Sequence, residues 1–198
     1  FKMIDAIVQR RSIRKYTDRE VSDSMIREIL QAGILAPSSK NRQPWKFVVA
    51  RGRAKTEAVV VMREGIQRER QTPLLPDSGQ HLKAAEYTAD IMEQASAVVF
   101  LVNPLGADIH RSLSPEERIY EICNAQSIGA AMENMTLAAT DRGLGSLWVC
   151  DTYFAYQELK QWLHTEGELA AALVIGYRAE EPSARPRKDI DTLTEWRD

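Results

Sequence analysis

The chain has 198 residues, 44% hydrophobic and 27% charged, an ordinary composition for a soluble globular protein long enough to bury one substantial core. Its 26 lysines and arginines stand against 28 acidic residues for a formal charge of -2, which argues against a general affinity for nucleic acid or an anionic membrane. The longest apolar stretch, residues 128–139, is interrupted by Glu133, Asn134 and Thr136 and is too short and too polar for a membrane span.

Phe1 and Lys2 ahead of Met3 read as a trimmed start rather than a targeting segment. Ile4, Ile7 and Val8 recur at helical spacing. Ser22 or Asp23 can cap a second helix with the apolar face Ile26, Ile29, Leu30 and Ile34, stopping at Pro37. A strand is expected at 45–50, then a helix over 53–69, apolar through Val59, Val60 and Met62 and closing on a charged run. Residues 71–80 carry two prolines and a glycine and read as a loop, within a stretch of about 64–90 that is the candidate for a mobile lid. A short helix leads to a strand at 97–102. Pro115 suits the first turn of a long helix that runs to about Asp141 and ends at Arg142-Gly143. That helix is apolar almost all the way round (Ile122, Ala125, Ile128, Met132, Met135), so burial on several sides is expected, part of it by a second subunit. Strands at 145–150 and 170–177 flank an amphipathic helix at 156–163, and residues 178–198 form an extended, docked tail. One α+β domain over 1–198 is expected. Cys123 and Cys150 sit in apolar runs and read as buried free thiols in a reducing compartment, hence the cytoplasm. His81, His110 and His164 lack metal-ligand spacing, and no zinc is expected.

Three segments do not look like core. The opening "RRSIRKY" (10–16) and the late "RPRK" (185–188) concentrate planar guanidiniums, which grip a phosphate bidentately, and the first adds a serine hydroxyl. Between them "PSSKNRQPW" (37–45) is rich in turn formers and short polar side chains that can read the edge of a flat heterocycle. Each alone is usually a solvated face or a connection; together they suggest a nucleotide-like ligand. No Gly-x-Gly-x-x-Gly or Walker loop is present, and Gly143 and Gly145 suit a helix stop and a strand entry. Ser38 and Ser39 have no histidine nearby in sequence and no nucleophile elbow, so nucleophilic catalysis has little support.

Taken in order, these segments resemble the nitroreductase family of FMN-dependent NAD(P)H oxidoreductases: R-x-S-x-R-x-Y, P-S-S-x-N-x-Q-P-W before a strand, a long helix leading to G-L-G-S-x-W, a strand ending in I-G-Y, and a basic R-x-R-K tail. The resemblance spans nearly the whole chain and is weakest between about 64 and 96. It implies an α+β fold with a mixed central sheet flanked by helices, a long buried central helix, and an interlocked homodimer with FMN at the interface. By this likeness Arg10, Ser12, Arg185 and Arg187 hold the FMN phosphate, Arg11 lies by the ribityl chain or phosphate, and Arg14 reaches the pyrimidine end. Pro37, Ser38, Ser39 and Asn41 approach the flavin from the partner subunit, with Gln43 supporting their loop. Trp148, Val149, Cys150 and Asp151 run past the flavin face and N5. Many relatives have glycine or glutamate just after that strand, where this chain has Cys150-Asp151, so only a backbone contact carries over there. The residue that reads flavin O4 and N3 has no match.

The activity so implied is hydride transfer from NADPH or NADH through flavin N5 to a nitroaromatic or quinone-like acceptor, each substrate stacking in turn on one flavin face in ping-pong fashion. Such chemistry needs no general base, and no carboxylate or histidine is marked out by context. The alternatives are the same flavin fold acting on another acceptor (an enal, a semialdehyde, a halophenol, or flavin itself) and a flavin-binding module without turnover.

Overall fold

The computed structural model describes residues 3–197; the reading of Phe1 and Lys2 lies outside the described residues. Helix α1 (Asp5–Gln9) leads through an extended strip to α2 (Asp23–Ile34), where Ser22 caps the helix by accepting from the Met25 N–H. Strand β1 (Lys46–Arg51) enters α3 (Gly52–Gln71), which is followed by α4 (Leu82–Gln94) and β2 (Ala97–Asn103). Helix α5 (Pro115–Asp141) starts on a reciprocal cap: Ser114 accepts from the Glu117 N–H, and the Glu117 carboxylate accepts from the Ser114 N–H. Strand β3 (Gly145–Val149), α6 (Tyr156–Trp162), β4 (Glu168–Gly176) and the short α7 (Ile190–Leu193) follow.

The sheet has the order β1-β2-β4-β3. All three strand pairings are antiparallel, and a parallel contact enters only as the isolated bridge between Ser12 and Ser146. The cause lies in the connection from β1 to β2. Helices α3 and α4 share a buried core of Met62, Ile66, Ala85, Ala89 and Met92, with ion pairs from Arg63 to Asp90 and Glu93 and from Arg70 to Glu86 on their exposed side, and this helical hairpin returns the chain to the end where β1 finished. Strand β2 must then run back along β1.

Alternate residues of the sheet serve two cores. Val98 and Phe100 pack with Met62, Ile66 and Met92 on the side of α3 and α4, while Val99 and Leu101 pack with Ile29, Met132 and Met135 of α2 and α5. That double burial explains why β2 is one unbroken apolar run. Three expectations need adjustment. Val60 is exposed because the buried stripe of α3 passes through Val59, Met62 and Ile66, one helical step away. Cys123 is only half-buried, and Cys150 is exposed because it follows the end of the edge strand β3. Burial of α5 begins at Asn124; over its first turns Ile119, Tyr120 and Ile122 remain exposed in the single chain.

Two glycines fix the path of the strip between α1 and α2. Gly145 and Gly176 face each other in register across β3 and β4. A Cβ on Gly145 would stand 2.8 Å from Ile13 Cγ2, and one on Gly176 would stand 2.7 Å from Tyr16 Cδ1. The strip therefore lies flat on the sheet, with Ile13 and Tyr16 buried. The Ile13 N–H donates to the Ser146 carbonyl (3.0 Å), the Thr17 N–H to the Tyr177 carbonyl (2.8 Å), and the Tyr16 hydroxyl to the Ile13 carbonyl (2.8 Å).

Residues 64–71 form the end of α3 and 82–90 belong to α4, which leaves 72–81 as the irregular link. A buried carboxylate pins it. Glu69, 1% exposed, accepts from the N–H groups of Leu74 (3.0 Å) and Leu75 (2.8 Å), with Arg68 beside it and Arg68 Nε in turn donating to Glu158 (2.8 Å). Burial pushes the Glu69 carboxyl up, but the bonds from Leu74, Leu75, Arg68 and Ser78 outweigh it and hold the group below the ordinary carboxylate range.

Gly145→Ala should cost about 1–3 kcal/mol, the scale of overpacking a filled site, visible as a lowered denaturation midpoint. Because the pKa of Glu69 is lower folded than unfolded, its contribution is complete above the unfolded pKa and is lost as pH falls through the folded value. Hydrogen exchange should therefore find the Leu74 and Leu75 amides protected at neutral pH and released in acid. Glu69→Gln should release them at neutral pH, at a cost of about 1.5–3 kcal/mol.

Candidate functional site

The strip and the tail meet. Beyond β4 the chain runs back along residues 14–16: Tyr16 bridges Arg178, the Ala179 N–H donates to the Lys15 carbonyl (2.9 Å), and Glu180 Oε1 accepts from the Arg14 N–H (2.5 Å). This return brings Arg185 and Arg187 to the same cavity as Arg10, Arg11, Ser12 and Arg14, a space of about 290 Å³ closed on one side by Ile7 and Val8 of α1. The two cationic segments of the sequence thus line one site.

Protein acceptors do little to neutralise these cations. Arg11 donates to the carbonyls of Val8 (2.7 Å) and Arg10 (2.8 Å), Arg14 to that of Ser12 (3.2 Å), and Arg187 to those of Arg185 (3.2 Å) and Pro186 (3.4 Å). The ion pair of Arg10 is a loose one, 3.9 Å from Glu133, and among the described residues Arg185 has none. Uncompensated guanidiniums converging with a hydroxyl in a concave site suit a phosphate dianion. The volume lies at the small end for a ligand pocket and fits the phosphate end of a larger molecule.

From this cavity β3 leads away along the edge of the sheet. At about 3.4 Å per residue, Gly145 to Cys150 spans roughly 17 Å. Trp148 is 40% exposed and lies over Gly129 of α5, Val149 is buried, Cys150 is exposed, and Asp151 is half-buried and accepts from the Thr88 hydroxyl (2.5 Å). At that far end opens a second, apolar cavity, walled in part by Tyr153, Tyr156 and His110. Sequence reading missed it because its walls come from three separated segments; the aromatic cluster Tyr153, Phe154 and Tyr156 just after a strand was the available signal.

Pro37, Ser38, Ser39, Asn41 and Gln43 are not brought to the arginine cavity of their own chain. They follow α2 and pack on α5, where the Ser39 N–H donates to Ser127 Oγ (3.2 Å) and the Ser127 hydroxyl donates to the Cys123 carbonyl (2.8 Å). Glu133, the α5 residue facing Arg10, is turned about 120° from Ser127 at about 100° per residue. Lys40, Asn41 and Gln43 all take left-handed backbone angles, with φ of 53°, 53° and 51°. Such outliers persist only where surroundings enforce them and concentrate at functional loops. Here Ser38 does the enforcing: its Oγ accepts from the Gln43 N–H (3.0 Å) and its carbonyl from the Asn41 N–H (2.9 Å).

A model described as "Nitroreductase family" matches residues 7–177. A protein of Archaeoglobus fulgidus, provisionally described as an NADH dehydrogenase/NAD(P)H nitroreductase, is 35% identical over 143 residues, 72% of this chain and 64% of that protein, so the chain spans somewhat under two thirds of its length. One from Methanothermobacter thermautotrophicus under the same description is 27% identical over 96% of this chain and 85% of its own. Among solved structures, a provisionally assigned nitroreductase of Desulfovibrio desulfuricans in complex with FMN superposes with a TM-score of 0.71 at 29% identity, covering 98% of this chain and 95% of that one. With the family match running from α1 to the end of β4, the chain belongs to the nitroreductase family.

Proposed function

We propose that the chain is an FMN-dependent oxidoreductase that draws electrons from NADPH or NADH and delivers them to a flat, electron-poor acceptor such as a nitroaromatic or a quinone. The observation that carries this reading is the convergence of Arg10, Ser12, Arg14, Arg185 and Arg187, from both ends of the chain, on one cavity at the start of an edge strand. FMN ends in a phosphate dianion, and that donor set is made to hold one. Strand β3 leads away from that grip, so that Trp148, Val149, Cys150 and Asp151 would lie along the rest of the molecule. Arg14, whose backbone N–H donates to Glu180, would turn its guanidinium to the pyrimidine end and favour negative charge gathering there. When bound, FMN supplies the redox chemistry, taking an electron pair from the nicotinamide and yielding it to the acceptor. The protein's share is binding, orientation and electrostatics. The arginine cavity is lined by neither histidine nor carboxylate, in keeping with a reaction that asks no proton of a side chain there.

The site is completed by a second copy of the chain. Pro37, Ser38, Ser39, Asn41 and Gln43 reach the flavin of the partner, which accounts for a conformationally strained loop held away from its own arginine cavity. A homodimer also gives cover to Ile4, Ile7 and Val8 of α1 and to Ile119 and Ile122 of α5, all exposed in the single chain. Cytoplasm is the location this reading assigns, in keeping with two unpaired thiols.

Arg10→Ala and Arg187→Ala should each weaken FMN binding by about 1.5–3 kcal/mol, the scale of a charged hydrogen bond, read as flavin lost on dialysis. Bound FMN should bleach anaerobically on addition of NADPH or NADH, and sedimentation at micromolar concentration should give twice the chain mass. Variants that keep a full complement of flavin, or a folded monomer that retains it, contradict the proposal.

A further inference from the structure

The two segments that form the arginine cavity are held very differently. Residues 10–16 lie on the sheet through the buried Ile13 and Tyr16. Arg185 and Arg187 are exposed, and among the described residues every hydrogen bond and ion pair made by 181–197 stays within residues 178–197. The backbone ladder between tail and strip is short. It consists of the Thr17 N–H on the Tyr177 carbonyl (2.8 Å) and the Ala179 N–H on the Lys15 carbonyl (2.9 Å), and among the described residues no further backbone bond follows.

A side chain makes the next connection. Glu180 Oε1 accepts from the Arg14 N–H (2.5 Å), and among the described residues this is the last bond from the tail to the rest of the chain before Arg185 and Arg187. From Glu180 to Arg185 the chain reaches at most ~17 Å. Within it Pro182 fixes its own φ and biases Glu181 towards extended backbone, and Pro186 does the same for Arg185. The direction the chain takes at Glu180 is thereby carried to the arginines.

The charge of Glu180 runs against the purpose of the cavity beside it, because a nearby carboxylate repels a phosphate. Among the described residues Glu180 forms no ion pair with the guanidiniums of Arg10, Arg11, Arg14, Arg185 or Arg187. Its oxygen is spent on a backbone N–H instead, which is a use for the hydrogen bond and not for the charge.

We infer that Glu180 is a positioning residue: its carboxylate latches the tail to the strip, so that Arg185 and Arg187 stand beside Arg10, Arg11 and Arg14 before any phosphate arrives. Without the latch the tail would have to be ordered, against the repulsion of like charges, at the moment of binding. That the phosphate is the one on FMN rests on the flavin reading above; the latch rests on the bond to Arg14 and on the sparse bonding of the tail beyond it.

The test compares the unmodified protein with Glu180→Ala, which removes the acceptor, and Glu180→Gln, which removes the charge and keeps an acceptor in its place. Glu180 belongs to neither hydrophobic core, so both variants should fold. Titrated as apoprotein, Glu180→Ala should bind FMN about tenfold more weakly and riboflavin less than about twofold more weakly, whereas Glu180→Gln should stay within about threefold for FMN. In an Arg185→Ala/Arg187→Ala background, Glu180→Ala should cost less than about twofold, because nothing remains for it to position. Tighter FMN binding in both variants would mean that the charge is what matters. Equal losses for the two flavins, a glutamine variant as weak as the alanine one, or a full loss without the arginines would mean a general structural role. Any of these overturns the inference.

Hydrogen exchange on the same apoproteins decides the latch without flavin. The Arg14 and Ala179 amides should exchange at least about tenfold faster in Glu180→Ala, while those of β2 and β4 keep their protection. Unchanged exchange at Arg14 overturns the latch whatever the flavin does. Unmodified protein that binds no FMN overturns the flavin reading, and the exchange rates still decide this one.

Discussion

Everything at the arginine cavity depends on a flat place in the sheet, the cross-strand pair Gly145 and Gly176. With no side chains there, Ile13 and Tyr16 settle onto the sheet and are buried, at separations that no Cβ would permit. With Ile13 turned inward, Ser12 and Arg14 on either side of it turn outward. The same strip is then the template along which residues 178–180 return, so Arg185 and Arg187 inherit their position from it as well. An ordinary packing constraint between two strands thus sets the geometry of an electrostatic site that neither glycine touches. It also lets one chain bring together charges whose mutual repulsion would otherwise keep them apart, because hydrophobic burial and backbone bonding hold the segments that carry them.

The opposite end of β3 is organised by buried acids. Glu69 is held ionised by backbone N–H groups and Arg68, and so ties the link after α3 to the helix it leaves. Glu168, at the start of β4, is pushed up to about 7 by burial, then by Asp108 and Glu121, although Lys160 donates to it at 2.6 Å. It packs so closely on Gly106 that a Cβ there would stand 2.7 Å away, which seats the root of the link carrying Ile109 and His110. A strongly basic cavity and a nearly apolar one are thus joined by five residues of edge strand.

Much of this was legible in sequence because its causes are local. The cap at Ser22, the proline opening α5 and the glycine after it, at φ 72°, are signals carried by one or two residues. The arginine segments were legible as chemistry, and the family likeness as their order along the chain. What escaped depended on contacts far apart in sequence. Gly145 reads as a strand entry, and nothing nearby reveals Ile13 above it. Glu69 hides in a charged run, although with Met62, Gly65 and Ile66 it continues the apolar stripe of α3, a position where a charge must find partners. The exposed first turns of α5 read as core by composition alone, because an exposed apolar residue has the same letter as a buried one.

The central claim is that both ends of the chain grip one phosphate, and removing that phosphate from the ligand tests it most directly. Calorimetric titration of the apoprotein with FMN and with riboflavin, repeated for Arg10→Ala, Arg187→Ala and the double variant, separates the phosphate's contribution from that of the ring. The account predicts that FMN binds at least about a hundredfold tighter than riboflavin, the scale of two charge-assisted hydrogen bonds. It further predicts that each substitution narrows the gap by weakening FMN alone, and that the double variant nearly closes it. Equal affinity for the two flavins in the unmodified protein, or arginine variants that weaken riboflavin as much as FMN, would contradict it.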